Sequence, residues 1–169
     1  MPQIPTLEVW LRGQLPNITP LLQPVAHALL QAQEEVNAMI ANFPDELLWE
    51  KPAGVASVGF HLQHLSGVLD RLFTYAKNQS LSDGQLNLLK LEDKFPQDLS
   101  VQDLLQRFNF QIKKSIEVLQ NISENELLEI RGVGRAKIPS NVLGLLFHSA
   151  EHTMRHVGQM SVTIRILKA

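Results

Sequence analysis

Three histidines stand at four-residue steps near the C-terminal end, in His148-Ser-Ala-Glu-His152-Thr-Met-Arg-His156-Val-Gly-Gln159. Four residues overshoot one α-helical turn by roughly 40°, so the three rings stack along one helix face. A second group, His61-Leu-Gln-His64, lies much earlier, and the two groups hold five of the six histidines of the chain. Imidazoles in this pattern suit a divalent cation. The pair His152 and His156 has the i, i+4 spacing with which the two histidines of HExxH helices chelate one ion. A third donor from a facing helix, His61 or His64, completes a three-histidine face with positions left for water or substrate, the open arrangement of catalytic sites. The competing reading is a buried histidine cluster without metal, in which each ring must find a hydrogen-bond partner to offset its desolvation.

Several chemistries fall by inspection. There is no cysteine, which removes disulfides, thiolate ligands and cysteine nucleophiles, so any metal must rest on histidine and carboxylate. No glutamate has a histidine three residues later, as ferritin-like di-iron bundles require, and HExxH is also missing. No general base stands out, because Glu151 and Asp70 fall on other faces of their helices. A net charge of −2 and a pI near 6.3 give no footprint for nucleic acid. No apolar run reaches the ~20 residues of a membrane span, and the start, Met-Pro-Gln-Ile-Pro, has no signal-peptide pattern. A cytoplasmic protein with no membrane partner is expected.

The chain must then supply elements that bring the two histidine groups together. With 169 residues, 44% apolar and 19% charged, one domain over 1–169 is expected. Residues 1–19 read as a short helix or extended arm anchored by Trp10. Leu21, Leu22, Val25, Ala28, Leu29, Ala32, Val36, Met39 and Ile40 recur at helical spacing from Pro20 to about Asn42, with His27 an ordinary packed or surface residue. Ser57 is the expected N-cap of a second helix, to about Asn78, carrying His61 and His64. Residues 79–98 read as a long polar connection, enough to cross a bundle and leave the second and third helices parallel. Ser100-Val-Gln-Asp103 resembles a capping box opening a helix to about Asn121, and Ser123 opens a shorter turn. Arg131-Gly-Val-Gly-Arg135-Ala-Lys137 reads as a hairpin-like surface turn in preference to an anion cradle. Ser140 is the expected N-cap of a last helix of about 25 residues. The sum is an all-α four-helix bundle.

Ser57-Val-Gly-Phe-His-Leu-Gln-His64-Leu together with His152-Thr-Met-Arg-His156-Val-Gly-Gln159 resembles the DinB/YfiT-like superfamily, over roughly residues 18–168. The resemblance implies a four-helix bundle with a long connection between helices two and three, holding one divalent ion, usually zinc or nickel. Position by position, His64, His152 and His156 match the three ligands, while His61 and His148 do not: His61 is a candidate outer partner, and His148 is an outer partner, substrate-facing or simply buried. Gln159 matches a recurrent glutamine, and Val157 replaces the basic residue that commonly precedes the Gly-Gln pair.

The implied activity is that of a metal-dependent enzyme acting on a small molecule. It is either transfer to or from a low-molecular-weight thiol cosubstrate or hydrolysis, with thiol transfer slightly ahead. The histidine ligands must be neutral, so binding is expected to weaken below about pH 6. The alternative is a non-catalytic stress-related or interaction bundle with a structural or vestigial metal site. A homodimer is the expected assembly.

Overall fold

The structure, a computed structural model, describes residues 7–96 and 98–169. Five α-helices, α1 (Gln23–Ile40), α2 (Val58–Ala76), α3 (Asp83–Leu91), α4 (Val101–Leu119) and α5 (Val142–Leu167), carry most of the chain, and a two-stranded hairpin, β1 (Ile130–Val133) and β2 (Ile138–Asn141), precedes the last. The four long helices close a ring in which α1 and α2 each pack on both α4 and α5. The fold is the expected all-α bundle, with α3 laid against α2 outside the ring.

Each helix follows from local signals and one apolar stripe. Val25, Leu29, Ala32, Val36 and Ile40 are the buried line of α1, with alanines where neighbouring helices come close. The side-chain oxygen of Ser57 accepts from the Phe60 amide and starts α2, and Ser100 with Asp103 forms a reciprocal capping box on α4. Such caps are each worth about 1 kcal/mol. Leu62, Leu65, Leu69, Phe108, Ile112 and Leu146 are fully enclosed between the helices, and each contributes about 1.5–3 kcal/mol by leaving water. Along α2 and α4, Gln63 and Gly67 share a cleft with Leu104 and Arg107, while Thr74 and Lys77 share the next one with Ser115 and Val118. The two helices therefore run parallel, as the long connection between them demands.

That connection is not the structureless link expected of residues 79–98. Nine of its residues form α3, opened by a capping box in which Ser82 and Gln85 satisfy each other's backbone amides. Four leucines on so short a helix look like scattered apolar residues in a polar stretch, which hid it. Two other expectations shift. Trp10 is not the anchor of the N-terminal segment: it is 61% exposed, and buried Val9 and the Arg12–Glu34 ion pair hold the segment to α1 instead. The last helix is capped by Asn141 and not Ser140: the Asn141 Oδ1 accepts from Gly144 N at 2.7 Å, and the hairpin pairing runs through Ser140 up to Asn141, so the helix starts one residue later than expected.

The hairpin confirms the surface-turn reading of 131–137. Gly134 takes a φ of +67° at its bend, a conformation glycine adopts without cost. Arg131 is committed elsewhere: its Nε donates to the Ala76 carbonyl at 2.7 Å, closing the C-terminal end of α2. His27 Nε2 meets the Gly13 carbonyl at 3.0 Å, an ordinary structural contact. Among the described residues no helix is long and apolar enough to cross a membrane.

Candidate metal centre

Helices α2 and α5 cross so that their histidines meet. His64 Nε2 lies 2.9 Å from His152 Nε2, and His61 Nδ1 lies 3.0 Å from His156 Nδ1. The order 61 with 156 and 64 with 152 makes the two helices antiparallel at this point. His64, His152 and His156 each offer one nitrogen such that all three nitrogens lie within 4.8 Å of one another, and the group could hold a metal ion. Two nitrogens each ~2.0–2.1 Å from one ion stand roughly 3 Å apart, which is the spacing of the His64–His152 pair.

His64 is fixed by a group the sequence reading did not find. Its Nδ1 lies 2.8 Å from Oε2 of Glu92, at the C-terminal end of α3. An ionised carboxylate only accepts, so this contact places the His64 proton on Nδ1 and leaves the Nε2 lone pair turned toward His152. Outer carboxylates orient metal-ligating histidines in this way and raise their basicity. Glu92 is itself buried, and Arg71 of α2 takes its other oxygen in a buried ion pair. The pair fits because residue 67 is glycine: a Cβ there would lie 2.1 Å from Glu92 Oε1 and 2.6 Å from Arg71 Nη1. Further along the same segment, Phe95 meets Trp49 at a ring distance of 5.6 Å. Trp49 covers Gly59 at the start of α2, where a Cβ would come within 2.2 Å of its ring. The connection is thus tied to α2 at two glycines on either side of His64.

The other candidates separate clearly. His61 is buried, 2% exposed, and its nitrogen faces His156. That contact occupies Nδ1 of His156 and leaves its Nε2 free to ligate. His148 lies at the exposed end of the cluster, its ring 5.2 Å from that of His152 and its Nδ1 3.4 Å from Glu151 Oε2. Glu151 also pairs with Arg155, as expected of exposed-face residues. The Gln159 side chain is exposed and has no hydrogen bond among the described residues, while its backbone carbonyl accepts from the Thr163 hydroxyl. Phe60 stacks on His64 with centroids 5.4 Å apart and planes 8° from parallel, walling one side of the ring.

The electrostatics favour neutral rings. Burial, and then the neighbouring His64, push His61 down to about 4. Burial and the surrounding imidazoles likewise lower His156 to about 4, and His152 is lowered chiefly by burial. Neutral nitrogens are what a metal needs, and proton competition at His152 and His156 is displaced to lower pH than for free histidine. Nδ1 of His152 is enclosed with no partner among the described residues. A neutral ring that ligates through Nε2 carries its proton on that atom. The donor set fits one divalent ion.

The sequence profile described as the DinB superfamily matches residues 28–160, most of the chain and all five histidines of the two sequence groups. The chain belongs to the DinB superfamily. DinB proteins are known as metal binders. Solved structures agree on the fold. A DinB-like protein from Bacillus cereus superimposes with a TM-score of 0.63 at 18% identity, covering 83% of this chain and 91% of that one. A Streptococcus pneumoniae protein gives 0.62 at 17% identity, with 85% and 88% covered. An uncharacterized protein from Clostridium difficile gives 0.61 at 15% identity, with 85% and 93% covered. No curated protein matches the chain.

Glu92 is the functional residue that sequence reasoning missed. Ser82-Asp-Gly-Gln85 followed by leucines carried the signal for its helix. Nothing in the sequence ties a glutamate twenty-eight positions downstream to His64.

Proposed function

We propose that this DinB protein is a metal-dependent enzyme in which His64, His152 and His156 hold one divalent ion, zinc or nickel. The observation that carries the reading is the convergence of those three rings with a buried carboxylate on the outer nitrogen of His64. A carboxylate on the outer nitrogen of a histidine whose other nitrogen faces further imidazoles is the arrangement that orients metal ligands. A divalent ion at this position supplies Lewis acidity and lowers the pKa of a coordinated water or thiol.

The residues of the chain contribute the rest. Glu92 holds the proton of His64 on Nδ1, His61 orients His156, and Phe60 excludes water from one side. Three protein ligands leave positions for a small substrate. With no cysteine in the chain, a thiol nucleophile must come from a low-molecular-weight cosubstrate, and thiol-dependent S-transfer is placed ahead of hydrolysis. Two copies of the chain in the cytoplasm complete the proposal.

The test is turnover of small electrophiles and esters by zinc-loaded and nickel-loaded protein, with and without glutathione, bacillithiol or mycothiol. Thiol-dependent product formation that disappears in His152→Ala supports S-transfer, and thiol-independent turnover that disappears in the same variant moves the assignment to hydrolysis. Bound metal with no turnover of either kind and no exchangeable ligand position favours the non-catalytic bundle with a structural site.

A further inference from the structure

A second cavity opens on the other side of Glu92, between α2, α3 and α4. Its volume is about 440 Å³, within the range of small-molecule sites. Glu92 and Arg71 form part of its wall, but none of the clustered histidines lines it. It is a different site from the metal centre, and the function proposed above leaves it without a role.

Its charges nearly cancel, and the remainder is informative. Three cations and two carboxylates line it. Arg71 is paired with Glu92, and Lys114 with Asp70 at 2.9 Å. Arg107 is left. Asp103, one turn earlier, gives its Oδ2 to the amide and hydroxyl of Ser100 in the cap of α4, at 3.0 and 2.6 Å, and acts on Arg107 only through the field, with no ion-pair contact among the described residues. Arg107 is exposed at the mouth of the cavity.

One turn further along α4 stands Gln111. It is 7% exposed and lines the cavity, yet its side-chain amide has no hydrogen bond among the described residues, where only its backbone carbonyl is engaged, by Ser115. The amide faces the solvent of the cavity, and it offers both donor and acceptor to whatever enters. The walls beside it are apolar: Leu104 forms the floor, and Leu88 and Phe110 stand 57% and 68% exposed at the lips.

We propose that this cavity binds a small amide-bearing monocarboxylate with an apolar side group, of the kind represented by an N-acylated amino acid. The carboxylate meets Arg107, the amide pairs with Gln111, and the apolar group lies against Leu88 and Phe110. Positions i and i+4 lie on one helix face, so Arg107 and Gln111 can reach the carboxylate and the amide of the same small molecule.

The probe is N-acetylleucine, titrated into metal-free protein and followed by amide chemical shifts and calorimetry, with its methyl ester as the uncharged control. Saturable binding is expected, with shifts concentrated at residues 63–71 and 104–114. Arg107→Gln weakens it about tenfold, the loss of one charge-assisted contact. The ester binds the native protein about as weakly and loses nothing further in that variant. Gln111→Leu, which removes the unpartnered amide without opening space, weakens binding severalfold and leaves the melting temperature unchanged or higher. Arg107 is a surface residue, so its substitution reads binding and not folding. Absence of saturable binding, shifts centred on the histidines, or equal affinity in native protein and both variants overturns the proposal. Because the protein is free of metal throughout, none of these results bears on the metal centre.

Discussion

Helix α2 has two working faces, and they differ in how they are made. The face toward α5 carries His61 and His64 against His152 and His156, an array of like groups that repel one another when charged and that burial keeps neutral. The face toward α3 and α4 carries Gly67, Asp70 and Arg71, where every acid is matched by a base. The first face offers three nitrogens that could hold a cation; the second is internally neutralised except for Arg107. Glu92 touches both, through His64 on Oε2 and Arg71 chiefly on Oε1.

Substitutions on the two faces should therefore separate metal binding from fold stability. The largest effect is expected of His64→Ala or His152→Ala: each removes a ligand, and calorimetric zinc affinity should fall by more than the 10–100-fold typical of an outer partner, with little loss of helix content. Retention of native affinity in either would break the contrast between the faces. Glu92→Ala should act on both. Metal affinity drops about 10–100-fold, and stability measured by urea unfolding drops about 3–5 kcal/mol because Arg71 is left buried and unpaired. Glu92→Gln, which keeps an acceptor for His64, should retain more of the metal affinity than Glu92→Ala.

Gly67→Ala sharpens the comparison further, since the added methyl collides with the Glu92–Arg71 pair and touches no histidine. Metal affinity is expected to fall roughly tenfold, as for a displaced outer carboxylate. Unchanged affinity with native stability would show that the pair moves aside freely.

The histidine face also sets a pH dependence in the metal-free protein. His61 and His156 titrate at about 4 in the fold, against 6.5 for the ordinary group. Between those values the unfolded chain binds protons that the folded chain refuses, so stability rises with pH across that window. The contribution is complete above pH ~6.5 and is lost as pH falls toward 4. Urea midpoints at pH 7 and pH 5 should differ in that direction, with a smaller difference in His61→Phe. The smallest effect is that of His148→Ala, an exposed residue at the edge of the cluster that is not one of the three converging rings, which should alter stability by less than about 0.5 kcal/mol and change metal affinity less than any other histidine substitution in the cluster.

The same contrast explains what the sequence could tell. The α5-facing side of α2 was legible because periodicity stacks His152 on His156, and because a bundle has few ways to meet a helix that carries His61 and His64. Choosing His64 above His61 rested on resemblance; in the structure it is His64 that has Glu92 on its outer nitrogen, while His61 lies against His156. The other side was not legible. Its acid–base pairs join residues 21 and 44 positions apart, and such pairings leave no periodic trace. Helix α3 was hidden because its nine residues bury no side chain fully, so its leucines draw no clean stripe. The long helices and the caps at Ser57 and Ser100 could be placed because capping and amphipathicity act within a few residues.

The central claim is that the α2–α5 face holds one metal ion through three histidines. It is tested most directly by elemental analysis of protein purified without a histidine tag or chelator, then dialysed against limiting zinc or nickel. The account predicts one ion per chain in the native protein and none in His152→Ala. A native protein that stays metal-free, with a melting temperature unmoved by added zinc or nickel, would contradict it.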